Sequence, residues 1–405
     1  MKITFLGDIM FDSMMSSTVL KNYYNTVKEE YDFFPMFEKL KDFLDKSDYV
    51  IANLETPISY DNSNLTNHKW EFCTPKEFAF ALKKVGVDYV STANNHCLDR
   101  GMEGVISTIK VLDEAELAHS GTYESNEKRN IFMFDKSEIR IGVMSYTYGT
   151  NAKSNRQYLG RNNRRCVDLI QEQEEYVDEI VPWVKHVRTY PNGLVSKIRN
   201  MFLNLLFPDN KGKEWYEKET FNFYRKILIN KDIAYLKKRA DLSVMCLHIG
   251  GQYNVEPSSY TKKITNWLIK KKVDLVICNH EHVVHSHKYY ENKNGKKQFV
   301  AYALGNCLSS AGLLHSPYDR RSDFSVAVHF YLDEKKKDIK NIKFSILKSV
   351  MESENSIAVY PVYDLLKTVC NEEERINLEK DALIVASDFS NRCYDFVDEE
   401  FDLYE

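Results

Sequence analysis

The chain lacks most of the features that would mark it as secreted, membrane-spanning or nucleic-acid-binding. Its eight cysteines are scattered and none forms a CxxC pair, which excludes a zinc knuckle or a redox dithiol as the organising site. No run of 18 apolar residues occurs, so no transmembrane helix is expected. The opening run Ile3-Thr4-Phe5-Leu6 is too short for a signal peptide or an anchor, and the chain is therefore expected to be cytoplasmic, at most peripheral to a membrane. There is no internal repeat and no low-complexity linker. A net charge of −4 over 405 residues gives no reason to expect nucleic acid as a partner. With 43% hydrophobic residues the chain can bury a large core, as one α/β domain or one domain carrying an insertion.

What the sequence does contain is a set of polar clusters, each placed at the end of an apolar run. Gly7-Asp8 follows Ile3–Leu6, Asn53-Leu54-Glu55 follows Tyr49–Ala52, and Asn94-Asn95-His96 follows Tyr89–Thr92. Much later His248 follows Leu242–Leu247, and His280-Glu281-His282 follows Val273–Ile277. Ligands bind α/β sheets at the carboxyl ends of the strands, so these clusters are expected along one edge of a single parallel sheet.

Between the runs lie helical patterns at Phe34–Lys46, Thr74–Val85 (with Thr74-Pro75 read as cap and first turn), Met102–Ala115 and Tyr260–Lys272. This strand–helix alternation predicts parallel pairing with right-handed crossovers. Phe324–Phe344 alternates around an Asp-Glu-Lys-Lys-Lys turn and reads as an antiparallel hairpin. The acidic, aromatic segment Asp395–Glu405 reads as a mobile tail. Residues 151–230 break the rhythm and read as a mainly helical insertion. From Trp183 to Lys231 they hold ten Lys or Arg against four acids, with an amphipathic stretch at Leu194–Phe207. That insertion is either packed on the sheet, a lid for an anionic substrate, or a membrane-touching surface. The main domain is then 1–150 with 231–405.

Each cluster alone is weak, since a Gly-Asp is usually a turn and a strand-end His usually a hydrogen-bonded core or surface residue. Together they offer what two neighbouring divalent ions need: carboxylates, one long enough to bridge, a neutral amide oxygen and imidazoles. The mixed nitrogen and oxygen set suits manganese, zinc or iron better than calcium. His280 and His282, two apart, reach one site only if a strand end or a tight turn holds them.

The order of the blocks resembles the calcineurin-like metallophosphoesterase superfamily, and within it the CapA family of capsule and poly-γ-glutamate biosynthesis. The resembling text is Gly7-Asp8-Ile9-Met10, Asn53-Leu54-Glu55-Thr56-Pro57-Ile58, Ala93-Asn94-Asn95-His96-Cys97-Leu98-Asp99-Arg100-Gly101, Leu247-His248-Ile249-Gly250-Gly251-Gln252-Tyr253, Asn279-His280-Glu281-His282-Val283-Val284 and Tyr302-Ala303-Leu304-Gly305-Asn306. It covers 1–150 and 230–310, and the remainder matches poorly. The resemblance implies a four-layer α/β/β/α sandwich. Two divalent ions are implied, held by Asp8 and His282 (first metal), Glu55 (bridge) and Asn95, His248 and His280 (second metal). His96 is implied as the acid for a leaving group, while Asn94, Asp99, Tyr253 and Asn306 line or orient the pocket.

Three departures bear on the chemistry. Met10 stands where the superfamily carries a metal-binding histidine, which thins the first metal's shell. Gln252 replaces a carboxylate, and Asn279 replaces a histidine. The expected function is a metal-dependent hydrolase in capsule or exopolymer production, a metal-activated water among Asp8, Glu55 and His280 attacking a phosphoester or an amide-type bond. The competing readings are a non-catalytic subunit of an envelope-polymer assembly, and cleavage or transfer at the amide bonds of an acidic polymer gripped by the basic insertion. The expected partners are an anionic polymer or phosphoester substrate and other capsule-synthesis subunits.

Overall fold

Two β-sheets lie face to face with helices on both outer surfaces. The computed structural model describes residues 1–12, 19–62, 71–160, 162–171, 223–254, 256–291, 295–310 and 320–403, with the single residues 15, 65 and 173. The stretch Leu194–Phe207 and the insertion from 174 to 222 lie outside the described residues.

In the larger sheet, strands Lys2–Ile9, Tyr49–Leu54, Tyr89–Ser91 and Ala118–Ser120 run parallel, and the antiparallel strands Phe324–Asp333, Asp338–Ser353 and Ser356–Pro361 lie on the other side of Lys2–Ile9. The short strands Asn306–Leu308 and Phe401–Asp402 pair with Lys2–Ile9 and Asp338–Ser353, respectively. In the smaller sheet, Ile139–Thr147, Leu242–His248, Leu275–Asn279 and Lys297–Leu304 are parallel, flanked by antiparallel Phe132–Lys136 and Val284–Glu291. The expected parallel pairing and the hairpin both form. The polar clusters, however, are divided between two sheets rather than gathered on one edge of one sheet. The sequence does not mark this division, because the connection from Ala118–Ser120 to Phe132–Lys136 that starts the second sheet carries no helix and no motif that sets it apart.

Side-chain alternation explains the layering. Phe5, Ile51, Tyr89 and Val328 of the larger sheet meet Val143, Val244, Leu275 and Phe299 of the smaller one. One residue along, Leu6, Val50 and Val90 face outward onto Phe37, Phe78, Leu82 and Val111 of the first helical layer. On the far side Met144, Met245 and Val276 pack on Ile233, Leu236, Ile264 and Leu268 of the second. Strands covered on both faces read as unbroken apolar runs, which is why they stood out in the sequence. Burial of each such side chain contributes about 1.5–3 kcal/mol.

Two local expectations are corrected. Thr74-Pro75 does not open a helix: it pairs in parallel with Ile58-Ser59, the Thr74 hydroxyl bonds the Thr56 hydroxyl at 2.7 Å, and the helix starts at Glu77. The acidic tail is docked rather than mobile. Phe401-Asp402 pairs with Lys343-Phe344, Phe401 stacks on Phe344 with ring centroids 4.9 Å apart, and Glu400 takes an ion pair from Lys2 at 2.6 Å. Among the described residues no helix is long and apolar enough to cross a membrane.

Candidate metal centre

The carboxyl ends of both sets of parallel strands open onto the same buried pocket of polar groups. In the larger sheet Asp8 is in register with Asn53 on one side and Asn306 on the other. This packing needs Gly7, because a Cβ there would sit 2.0 Å from the Gly305 carbonyl oxygen, beside the Asp8 N–H bond to that same oxygen. Glu55 leaves the end of Tyr49–Leu54, and Asn94-Asn95-His96 leave the end of Tyr89–Ser91. In the smaller sheet His248 ends its strand in register with Thr147 and Asn279. His280 and His282 follow at once, with φ of 102° and 59°. Left-handed backbone at two non-glycine residues costs about 1–3 kcal/mol each, and this tight turn is what brings both imidazoles to one site.

The cluster is dense and dry: Asp8, Glu55, Asn95, His248, His280 and His282 are all buried. Asp8 accepts from Asn53 Nδ2 at 2.7 Å and from the His280 backbone N–H at 3.0 Å. His248 Nε2 lies 2.7 Å from Asn95 Oδ1 and 3.3 Å from Glu55 Oε1, while its Nδ1 is 3.9 Å from Asp8. His282 lies 3.9 Å from Glu55 and 3.7 Å from Asp8, and its Nδ1 is 2.9 Å from Asn306 Oδ1. Grouped by distance, Glu55 gathers with His280 and His282, and again with Asp8 and His248. Glu55 is common to both groups, as a bridge would be, and Asp8 lies within 3.9 Å of both His248 and His282.

The test of fit lies in the unsatisfied atoms. Both Glu55 carboxylate oxygens and both His280 ring nitrogens are buried without a hydrogen bond. Buried polar atoms left so are costly, about 1–3 kcal/mol each, and cation ligation is what a carboxylate and an imidazole in this setting share. Electrostatics agree. Burial alone would raise the Glu55 carboxyl, but facing His248 and His282 outweighs it and holds the group down at about 2. Burial, then repulsion from Glu55, pushes Asp8 well above its ordinary range. Burial, reinforced by its histidine neighbours, pushes His280 well below, which favours a neutral imidazole with one nitrogen lone pair to offer.

His96 sits beside this cluster in a second arrangement. Its Nδ1 is 2.6 Å from Asp99 Oδ2, and its ring stacks on Phe72 with centroids 3.8 Å apart. Burial works against its protonation, but the charge of Asp99 prevails and raises its pKa. Asp99 is braced by the Phe72 N–H at 2.8 Å. Asn94 donates to the Leu54 carbonyl at 2.7 Å and accepts the His96 N–H at 3.0 Å, so it orients rather than lines. Asn306 holds His282, and the Tyr253 ring lies 5.6 Å from it. Met10 is buried, and Cys97 and Cys307 have thiols pushed up to about 12 by burial, which leaves them inert.

Sequence reasoning did not assign Asn53, Phe72, Tyr148 or Glu281 to the site. Asn53 was within reach: it stands in the same cluster as Glu55, and parallel register puts it beside Asp8. Tyr148, 4.6 Å from His280 by ring centroids, carries no comparable signal.

The chain has relatives among capsule-synthesis proteins. The chain is 24% identical over 314 residues to the capsule biosynthesis protein CapA of Bacillus anthracis, and 21% over 311 residues to the PGA biosynthesis protein CapA of Bacillus subtilis, covering 76% of this chain each time. It spans 60% and 66% of the length of those two relatives. A phosphatase structure from Mycoplasma pneumoniae superposes with a TM-score of 0.41 at 14% identity, over 93% of this chain and 98% of that one, a loose likeness that carries nothing further. The model of the bacterial capsule synthesis protein PGA_cap family matches residues 2–311, and the chain belongs to that family.

Proposed function

We propose that the chain is a divalent-metal-dependent hydrolase of capsule or exopolymer production, acting on a phosphoester or amide-type bond. The observation that carries this reading is the pair of fully buried groups, Glu55 and His280, whose side-chain polar atoms make no hydrogen bond inside a ring of further ligands. Asp8, Glu55, Asn95, His248, His280 and His282 would hold the ions. Such ions supply Lewis acidity and lower the pKa of water. The protein's own groups do the rest. His96, whose pKa the neighbouring Asp99 raises, is placed to give a proton to a leaving group. Asn53 and the His280 N–H fix both oxygens of Asp8, and Asn306 fixes the His282 ring. Burial of all six groups keeps them from bulk water. The capsule assignment rests on the family, and an anionic polymer is the substrate class in keeping with it.

The test is metal content of the purified protein beside Asp8→Ala and His280→Ala, with bis-p-nitrophenyl phosphate and manganese as the assay. About two ions per chain, lost in both variants together with hydrolysis, is the expected result. Bound metal without phosphodiester hydrolysis moves the reading to amide chemistry. Absence of metal under every condition overturns it in favour of a non-catalytic assembly subunit.

A further inference from the structure

Glu281 lies between the two candidate ligands His280 and His282, yet it points away from them. It is completely buried, an unusual place for a carboxylate. Its Oε1 accepts the Gly251 N–H at 3.0 Å and its Oε2 accepts Asn254 Nδ2 at 3.1 Å. Its own carbonyl accepts the Tyr253 N–H at 2.8 Å. Four residues on, His285 Nε2 meets the Asn254 carbonyl oxygen at 2.8 Å. The turn that follows His248 is therefore fastened to the turn that carries His280 and His282 at four points, three of them through Glu281.

The opposite side of the contact is shaped for this carboxylate. Gly250 has φ of 135°, and a Cβ there would stand 2.3 Å from Glu281 Oε1. Tyr253, also left-handed at φ of 59°, presents its ring beside His282. Removal of one member would leave buried donors unanswered, so the arrangement holds as a unit.

We infer that Glu281 is a positioning residue: its carboxylate latches the 250–254 turn onto the His280–His282 turn, so that Tyr253 and the two imidazoles form one rigid wall of the site. The latch exists without any ion. Its effect on affinity rests on the metal reading given above, since groups that orient ligands typically tune affinity 10–100-fold.

The experiment is residue-resolved hydrogen exchange of the metal-free full chain, comparing wild type, Glu281→Ala and Glu281→Gln, followed by manganese titration of each. In Glu281→Ala the Gly251 amide is expected to exchange about tenfold faster or more while strands Leu242–His248 and Lys297–Leu304 keep their protection. Glu281→Gln, which retains one acceptor, restores most of that protection. Manganese affinity falls about 10–100-fold in Glu281→Ala and recovers in Glu281→Gln. Unchanged Gly251 exchange overturns the latch, as does faster exchange spread evenly over the whole chain. If Glu281→Ala fails to fold, Asn254→Ala, which removes one donor to the carboxylate, decides: Gly251 exchange and manganese affinity both at wild-type values reject the role. If the wild type takes no manganese, the hydrolase reading fails, while the exchange data still decide the latch.

Discussion

Two buried histidines in this molecule, His329 in the middle of the larger sheet and His280 at the end of the smaller one, share a solvent exposure of zero and little else. His329 has a partner for each nitrogen, Thr4 Oγ1 at 2.8 Å and Ser345 Oγ at 3.0 Å, on ordinary strand backbone. His280 has no hydrogen bond on either nitrogen and a φ of 102°. Burial drives both well below the ordinary histidine range. The first is a settled core residue and the second is held in readiness for something else. Burial and pKa therefore do not separate structure from function here. Hydrogen-bond satisfaction and backbone strain do.

That contrast can be broken by experiment. The largest effect is expected for His280→Ala, which should weaken manganese or zinc binding by ~100-fold or more while changing the stability of the metal-free protein by only about 1 kcal/mol. A large loss of metal-free stability, read by denaturant titration, would make His280 another core residue. His329→Ala should do the reverse, costing about 2–4 kcal/mol through the cavity and the two stranded hydroxyls, with metal stoichiometry unchanged. Acid comes next. The folded pKa of His329 is depressed, so the unfolded chain binds its proton first, and the stability present above about pH 6.5 is lost as pH falls toward the folded value. This group contributes a slope of up to about 1.4 kcal/mol per pH unit, and the pH dependence of unfolding in His329→Asn should be shallower by that amount between pH 6 and 5. The smallest effect is expected for Asn306→Ala, which frees the His282 ring and should cost about tenfold in metal affinity. An unchanged titration would remove Asn306 from the site.

Inner strands such as Lys2–Ile9, Tyr49–Leu54, Leu242–His248 and Leu275–Asn279 were legible because a strand covered on both faces must be apolar throughout, and the candidate ligands because each breaks such a run at its end. The edge strands Phe132–Lys136, Val284–Glu291 and Ser356–Pro361 gave no such run. His280 and His282 were legible as a pair that needs a turn. What was hidden follows from packing between segments far apart in sequence. Nothing in the local text says that Asp8 and His248 belong to different sheets. Glu281 stands in the His280–His282 cluster without a role of its own until Gly251 and Asn254 are placed opposite it. Thr74-Pro75 has the composition of a helix start, and only its pairing with Ile58-Ser59 overrides that. The tail from Asp395 looks unstructured because its acids dominate its composition, while its anchors are the few apolar side chains Val397, Phe401 and Leu403.

The strand Lys2–Ile9 also sets the order in which this protein can be made. It pairs on one flank with Tyr49–Leu54 and on the other with Phe324–Asp333, and the Thr4–His329 bond joins residues 325 apart. On the ribosome the first pairing is available early, but the second flank stays an open, apolar edge until most of the chain has been synthesised. Long-range pairing of this kind makes folding slow and exposes edges to wrong partners. The ligands come from both ends of that interval, with Asp8 early and His280 late. A nascent chain therefore cannot gather this cluster before its sheets are nearly closed, and on the proposed metal reading ion uptake becomes a report of completed folding.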